Sequence, residues 1–201
     1  ITIFTAIIVG LPSPITPIQI LWMNIITDSP PALALAMNPG DPDIMKRPPL
    51  DPKGRILTPR FAGAMVLVGL LLAIVVLGAF TWYLGGGPEM AVKADTMAFC
   101  VIIMFQQFFA LSSSGSGSTP VLETGLFRNR WLWAAFLFGL ATQVLITEWA
   151  PAWPIFDTVP LDLFDWGIVM VLASTAFIVP ELVKWGMRWR GVRAASPASP
   201  E

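Results

Sequence analysis

The stretch QILWMNIITDSPP, residues 19–31, decides how the rest of the chain is interpreted. Asp28 is the only charged residue among residues 1–40, and it lies in a run apolar enough to be buried in a membrane. A carboxylate at that depth is costly, which indicates a functional role. On a helix, Asn24, Thr27 and Asp28 stand at i, i+3 and i+4, so an amide oxygen, a hydroxyl and a carboxylate share one face.

Two prolines follow this polar face directly. Because Pro30 and Pro31 have no N–H, each leaves one carbonyl without its helical partner, and we expect the helix to be interrupted there. The carbonyls concerned are those of Ile26 and Thr27. Interrupted helices of this kind coordinate cations in transporters. A set of oxygen ligands suits a hard cation such as Ca²⁺, Mn²⁺ or Na⁺.

The composition places the whole chain in a membrane. Of its 201 residues, 55% are hydrophobic and 12% are charged, which is far more apolar than a soluble domain of this length needs. The single cysteine, Cys100, excludes a disulfide framework, and the absence of histidine disfavours a zinc or haem site. The chain begins with Ile inside an apolar segment, so we expect it to be a fragment of a longer protein.

We predict an all-α fold, a polytopic transmembrane helical bundle. Spans of about 20 apolar residues are needed to cross a bilayer, and residues 1–11 form only part of one. The predicted spans are residues 1–11 in part, then 18–37, 61–87, 96–112, 131–149 and 164–185. A polar, proline-rich loop separates the second and third, a flexible Ser/Gly run covers residues 112–118, and a disordered tail, residues 194–201, follows a membrane domain of residues 1–193.

The basic residues predict the orientation, since cytoplasmic loops carry an excess of Lys and Arg. Eleven of the twelve lie in alternate loops or at the C-terminus: Lys46, Arg47, Lys53, Arg55, Arg60, Arg128, Arg130, Lys184, Arg188, Arg190 and Arg193. Of the two intervening loops, residues 85–95 hold Lys93 as their one basic residue, and residues 148–165 hold four acids and no basic residue, so we expect a cytoplasmic C-terminus. The final WGMRWRGVR, residues 185–193, is interpreted as an interfacial anchor rather than a nucleic-acid site.

The segment QILWMNIITDSPPALALAMNPGDPDIMKRPPLDP, residues 19–52, resembles the sixth transmembrane helix and following cytoplasmic loop of P-type cation-transporting ATPases of the calcium-pump branch. Asn24, Thr27 and Asp28 match that family's N-x-x-T-D motif. The resemblance is strong over residues 10–60 and weaker afterwards. It implies that the chain runs from the end of helix five through helix ten and that Asn24, Thr27 and Asp28 bind the transported Ca²⁺. We expect a bacterial plasma membrane as the host, and an organelle membrane stays open.

Two departures from the family pattern affect the expected function. Gln106 stands where sarcoplasmic-type calcium pumps carry a ligating glutamate in helix eight, so the resemblance makes it a neutral fourth ligand and favours one ion per cycle. The phosphorylated-aspartate motif, the nucleotide-binding and actuator domains and helix four are not in this sequence. The resemblance therefore implies that ATP hydrolysis, with its Mg²⁺ and ATP, belongs to the rest of the parent pump, which with the lipid bilayer is this chain's expected partner.

Other functions stay open on sequence grounds. A pump for Mn²⁺ or Na⁺ accepts the same oxygen ligands, and a secondary transporter or channel also uses a broken helix with a buried acid. A membrane anchor or regulatory subunit would make Asp28 dispensable. Gln107, beside Gln106, is interpreted as an interhelical hydrogen-bonding residue, and Glu148 and Glu181 as interfacial or bundle-facing acids.

Overall fold

The computed structural model describes residues 2–39, 59–115 and 120–194. Its helices are α1 (Thr2–Val9), α2 (Pro17–Ala36), α3 (Pro59–Leu84), α4 (Ala91–Ser113), α5 (Val121–Thr124), α6 (Arg130–Glu148), α7 (Trp153–Phe156) and α8 (Leu163–Ala194), with short 3₁₀ turns at Pro88–Met90 and Ala150–Ala152. Within these ranges the chain forms no β-strand, as the predicted all-α bundle requires. Most of the predicted polar loop between the second and third spans lies outside the described residues, and so does the predicted tail after residue 194.

Four of the described helices, α3, α4, α6 and α8, are long and apolar enough to cross a membrane. The chain is therefore an integral, multi-pass membrane protein. The fifth long helix, α2, has 20 residues, which is a spanning length, but polar side chains and two prolines reduce its apolar character.

Helix α4 forms the centre of the bundle and packs against α2, α3, α6 and α8. Its residues are buried continuously from Thr96 to Phe105. The sequence explains this position, because a helix that is apolar on all sides must be covered on all sides. Helices α3 and α8 are more apolar than α4 but bury only 22% of their most hydrophobic windows against protein, which leaves large apolar faces for lipid.

Helices α4 and α8 run parallel and are joined by polar contacts at both ends. At their N-terminal ends, Lys93 pairs with the buried Asp165 at 2.6 Å, and Tyr83 of α3 donates to the same carboxylate at 2.6 Å. At the other end, the buried Glu181 accepts from Ser112 at 3.0 Å and pairs with Lys184 at 2.7 Å. These contacts fix the register of the two helices and explain why both acids face the bundle.

The predicted flexible run of residues 112–118 includes two residues that the structure assigns to a helix. Ser112 and Ser113 belong to the last turn of α4, because Ser112 is held by Glu181 and its carbonyl accepts from Lys184 at 2.6 Å. Residues 116–119 lie outside the described residues.

The expected interruption of α2 at its prolines is wrong. One helix runs from Pro17 to Ala36 with Pro30 and Pro31 inside it. Proline's fixed φ is compatible with a helix, so the chain loses two hydrogen bonds without having to break. The carbonyl of Ile26, which Pro30 leaves free, instead faces the side-chain amide of Gln107 on α4, with Nε2 at 3.5 Å.

Asn129 connects the ends of two helices. Its Oδ1 accepts from the backbone N–H groups of Trp131 and Leu132 and so caps the start of α6. Its Nδ2 donates to the carbonyl of Ala34 in the last turn of α2 at 2.7 Å. Asn38, just beyond α2, donates in turn to the carbonyl of Ser114 at 2.9 Å. The C-terminal ends of α2 and α4 and the start of α6 therefore meet at one hydrogen-bonded junction.

This junction gives a stability prediction. Asn129→Ala removes the cap of α6, worth about 1 kcal/mol, and leaves the Ala34 carbonyl without its donor, at a further cost of about 1–3 kcal/mol. Asn129→Ser keeps a hydroxyl that can cap α6 but lacks the Nδ2 group that donates to the Ala34 carbonyl. We expect the midpoint of thermal unfolding in detergent, followed by circular dichroism, to fall in the order wild type, Ser, Ala. An Ala variant as stable as the wild type would contradict the junction.

Candidate functional site

The site is built first from α2, which presents the polar residues of its central turns on an outward face. Asn24 and Asp28 are exposed one turn apart, and Thr27 is half-buried beside them. Helix α2 is positioned at its start by Gln19, which is fully buried. The amide of Gln19 donates to the carbonyl of Phe156 in α7 at 2.8 Å and accepts from the N–H of Thr16 at 3.0 Å. The rotation and depth of α2 are thus set before the polar turns begin.

Thr27 and Asp28 hold two oxygens close together. The Thr27 hydroxyl donates to the carbonyl of Met23 at 2.8 Å, which uses its only hydrogen and leaves its lone pairs available. Its Oγ1 lies 3.5 Å from Oδ1 of Asp28. Two ligand oxygens, each about 2.4 Å from one Ca²⁺ at an angle of about 90°, would be separated by about this distance. The pair is therefore spaced as neighbouring ligands of one cation could be.

A groove of about 400 Å³ brings these residues together with α4. Its described lining is Thr27, Asp28, Pro31, Ala32, Leu35, Gln106, Phe109, Ala110 and Ser113. Asp28 is the one acidic side chain among them, and it shares the groove with the amide of Gln106 and the hydroxyls of Thr27 and Ser113. Three of the four predicted ligand residues therefore border one space.

Asn24 is the predicted residue that the groove does not include. It lies one turn before Asp28 on the exposed part of α2 and is not among the described lining residues. Sequence reasoning also missed Ser113, because the serine run was interpreted as a linker. The available signal was its spacing: Ser113 is seven residues after Gln106, so two helical turns place both on one face of α4. Its hydroxyl donates to the carbonyl of Phe109 at 2.8 Å.

Comparison with known proteins identifies the family. The model for the family described as "Cation transporting ATPase, C-terminus" matches residues 12–186, which is most of the chain. The chain belongs to this family. The match includes both helices of the groove, α2 and α4, and the four helices long enough to cross a membrane.

Individual members of the family cover the same region. The chain is 34% identical to "Calcium-transporting ATPase 1" of Bacillus cereus, over 92% of this chain and 22% of that protein. It is 36% identical to "Calcium-transporting ATPase type 2C member 2" of Rattus norvegicus, over 87% of this chain and 18% of the relative. It is 32% identical to "Calcium-transporting ATPase type 2C member 1" of Homo sapiens, over 89% of this chain and 19% of that relative. The chain therefore spans about a fifth of the length of these relatives.

Proposed function

We propose that this chain forms the cation-binding membrane part of an ATP-driven P-type pump that transports Ca²⁺. The observation that carries the proposal is the groove in which Thr27 and Asp28 of α2 meet Gln106 of α4. The names of the relatives favour Ca²⁺ over Mn²⁺ or Na⁺, and membership of an ATPase family favours a pump over a secondary transporter or channel.

In this proposal each polar side chain has a stated role. The Asp28 carboxylate supplies the negative charge that offsets desolvation of the ion, while Thr27 Oγ1 and the amide oxygen of Gln106 add neutral ligands. Asn24 contributes its amide oxygen from the preceding turn. Ca²⁺ takes about six to eight oxygens, so the remaining ligands come from membrane helices in the rest of the pump. Those parts also bind ATP with Mg²⁺ and carry the phosphorylated residue.

The orientation forms part of the same proposal. The junction of Asn38, Ser114 and Asn129 and the Glu181 cluster place the ends of α2, α4 and α8 and the start of α6 at one end of the bundle. The basic residues Arg128, Arg130 and Lys184 belong to these segments, whereas the acids Asp162 and Asp165 lie at the other end with Lys93. The positive-inside rule then supports a cytoplasmic C-terminus. The similarity to the Bacillus protein supports a bacterial plasma membrane as the host.

Replacing Asp28 by Asn tests the site. The change removes the charge that balances the cation and leaves the shape nearly intact, so we expect Ca²⁺-activated phosphorylation of the pump by ATP to be lost while the protein still inserts. Glu148→Gln is the matched control, because it makes the same acid-to-amide change at a carboxylate that binds Trp166 at 3.0 Å, away from the groove. Unchanged Ca²⁺ affinity in Asp28→Asn would refute the assignment.

The neutral Gln106 predicts the number of ions carried. With Asp28 as the one acid of the described groove lining, a second Ca²⁺ would lack the carboxylates that offset its desolvation. Equilibrium binding of labelled calcium to the purified pump should therefore give one ion per phosphorylation site. A stoichiometry of two would show that a second site exists elsewhere in the membrane domain.

Accessibility tags test the orientation. A tag in the loop of residues 38–60 should be reached from the cytoplasm, and a tag in the loop of residues 148–165 from the opposite side. If reagents confined to one side reach both tags, the proposed arrangement of spans is wrong.

A further inference from the structure

A buried contact between three helices lies directly behind the cation groove. Gln107 follows Gln106 on α4 but points to a different side of the helix, because successive helical residues are about 100° apart. It is 1% exposed, and its Nε2 lies 3.5 Å from the carbonyl oxygen of Ile26 on α2, a residue 81 positions earlier in the chain. Ile26 is itself buried, at 2% exposure, and immediately precedes Thr27 and Asp28.

The Ile26 carbonyl needs this donor because of Pro30. In an uninterrupted helix the N–H of residue 30 would bind that oxygen, but proline has none. A buried carbonyl without any donor is unfavourable, and inside a membrane protein no bulk water can replace the missing partner. The side-chain amide of Gln107, with Nε2 at 3.5 Å from this oxygen, is the group positioned to replace the backbone donor that α2 lacks at this turn.

Gly139 on α6 provides the space through which Gln107 reaches α2. A Cβ atom at this position would lie only 2.2 Å from Nε2 of Gln107 and 2.9 Å from its Cδ. Any larger residue would displace the amide. Glycine is unfavourable inside a helix, so its presence in the middle of α6 fits a position where close approach is required.

We propose that Gln107 is a positioning residue for the cation site: by binding the carbonyl that Pro30 leaves free, it fixes the turn of α2 that carries Thr27 and Asp28 relative to Gln106. Gly139 is the second part of the same device, because it keeps the amide in reach of α2. Gln107 does not touch the cation. This inference rests on the proposed cation site, since it explains how that site is aligned.

The test uses the full-length pump and compares two quantities, the Ca²⁺ concentration that gives half-maximal phosphorylation by ATP and the maximal phosphorylation per molecule. Gln107→Met keeps the length of the side chain and removes the donor. We expect the half-saturating concentration to rise roughly two- to tenfold, the loss typical of one hydrogen bond, with the maximal level largely kept. A residue that served stability alone would lower the amount of active pump without changing this concentration.

Two further variants test the mechanism through non-additivity. Gly139→Ala should raise the half-saturating concentration as Gln107→Met does, and combining the two should add little, because both remove the same contact. Pro30→Ala restores a backbone N–H for Ile26, so in that background Gln107→Met should change the concentration by less than about twofold. If Pro30→Ala does not fold, the comparison of Gln107→Met, Gly139→Ala and their double variant tests the proposal by itself.

The control is Gln143→Met. Gln143 is a fully buried amide on α6 whose Nε2 donates to Sγ of Cys100 at 3.3 Å, with no hydrogen bond to α2 among the described contacts. It should leave the half-saturating Ca²⁺ concentration unchanged. An unchanged value in Gln107→Met, an equal shift in Gln143→Met, or fully additive effects with Gly139→Ala would overturn the positioning role.

The Asp28→Asn variant, measured in parallel, separates the two proposals. If Asp28→Asn abolishes Ca²⁺ activation and Gln107→Met has no effect, the cation site stands and the positioning role fails. If Asp28→Asn leaves Ca²⁺ activation intact, the site assignment itself fails and the positioning role fails with it.

Discussion

The two backbone N–H groups that α2 lacks at Pro30 and Pro31 determine how this helix is held. A helix missing these donors has to find partners outside its own backbone for the carbonyls it frees, and it must do so in a buried setting. At the turn freed by Pro30 the partner is Gln107. Side-chain amides also hold both ends of the helix: Gln19 binds Phe156 near the start, and Asn129 binds Ala34 near the end.

Hydrogen bonds from buried side-chain amides hold α2 in place and leave its polar side chains available for function. The amide side chains of these contacts are buried, whereas Asn24 and Asp28 on the same helix are exposed. The contacts also lie at three levels along the helix, which limits both its rotation and its sliding. Helix α4 can serve as the reference for this alignment because it is buried over most of its length and joined to α8 at both ends. The Lys93–Asp165 ion pair joins them at one end, and hydrogen bonds of Ser112 to Glu181 and Lys184 join them at the other.

The sequence predicted the features that depend on local pattern. The hydrophobic runs indicated a helical membrane bundle, and the lone charge of Asp28 drew attention to the turn that now borders the groove. It did not predict how α2 continues through its prolines, because the group that faces the carbonyl freed by Pro30 is an amide 81 residues away in the chain. The role of Gly139 could not be predicted for the same reason. In the sequence it is one small residue of an apolar helix, and only the structure shows the side chain of Gln107 packed against it.

The central claim is that one cation binds between α2 and α4 at Thr27, Asp28 and Gln106. It is tested most directly by single-particle cryo-electron microscopy of the intact pump, with saturating Ca²⁺ and with chelator. The account predicts density that appears only with Ca²⁺, within about 2.3–2.6 Å of the Asp28 carboxylate and Thr27 Oγ1, with the Gln106 amide oxygen in the same shell. Calcium-dependent density beside Glu181 or Asp165, with none at Asp28, would contradict it.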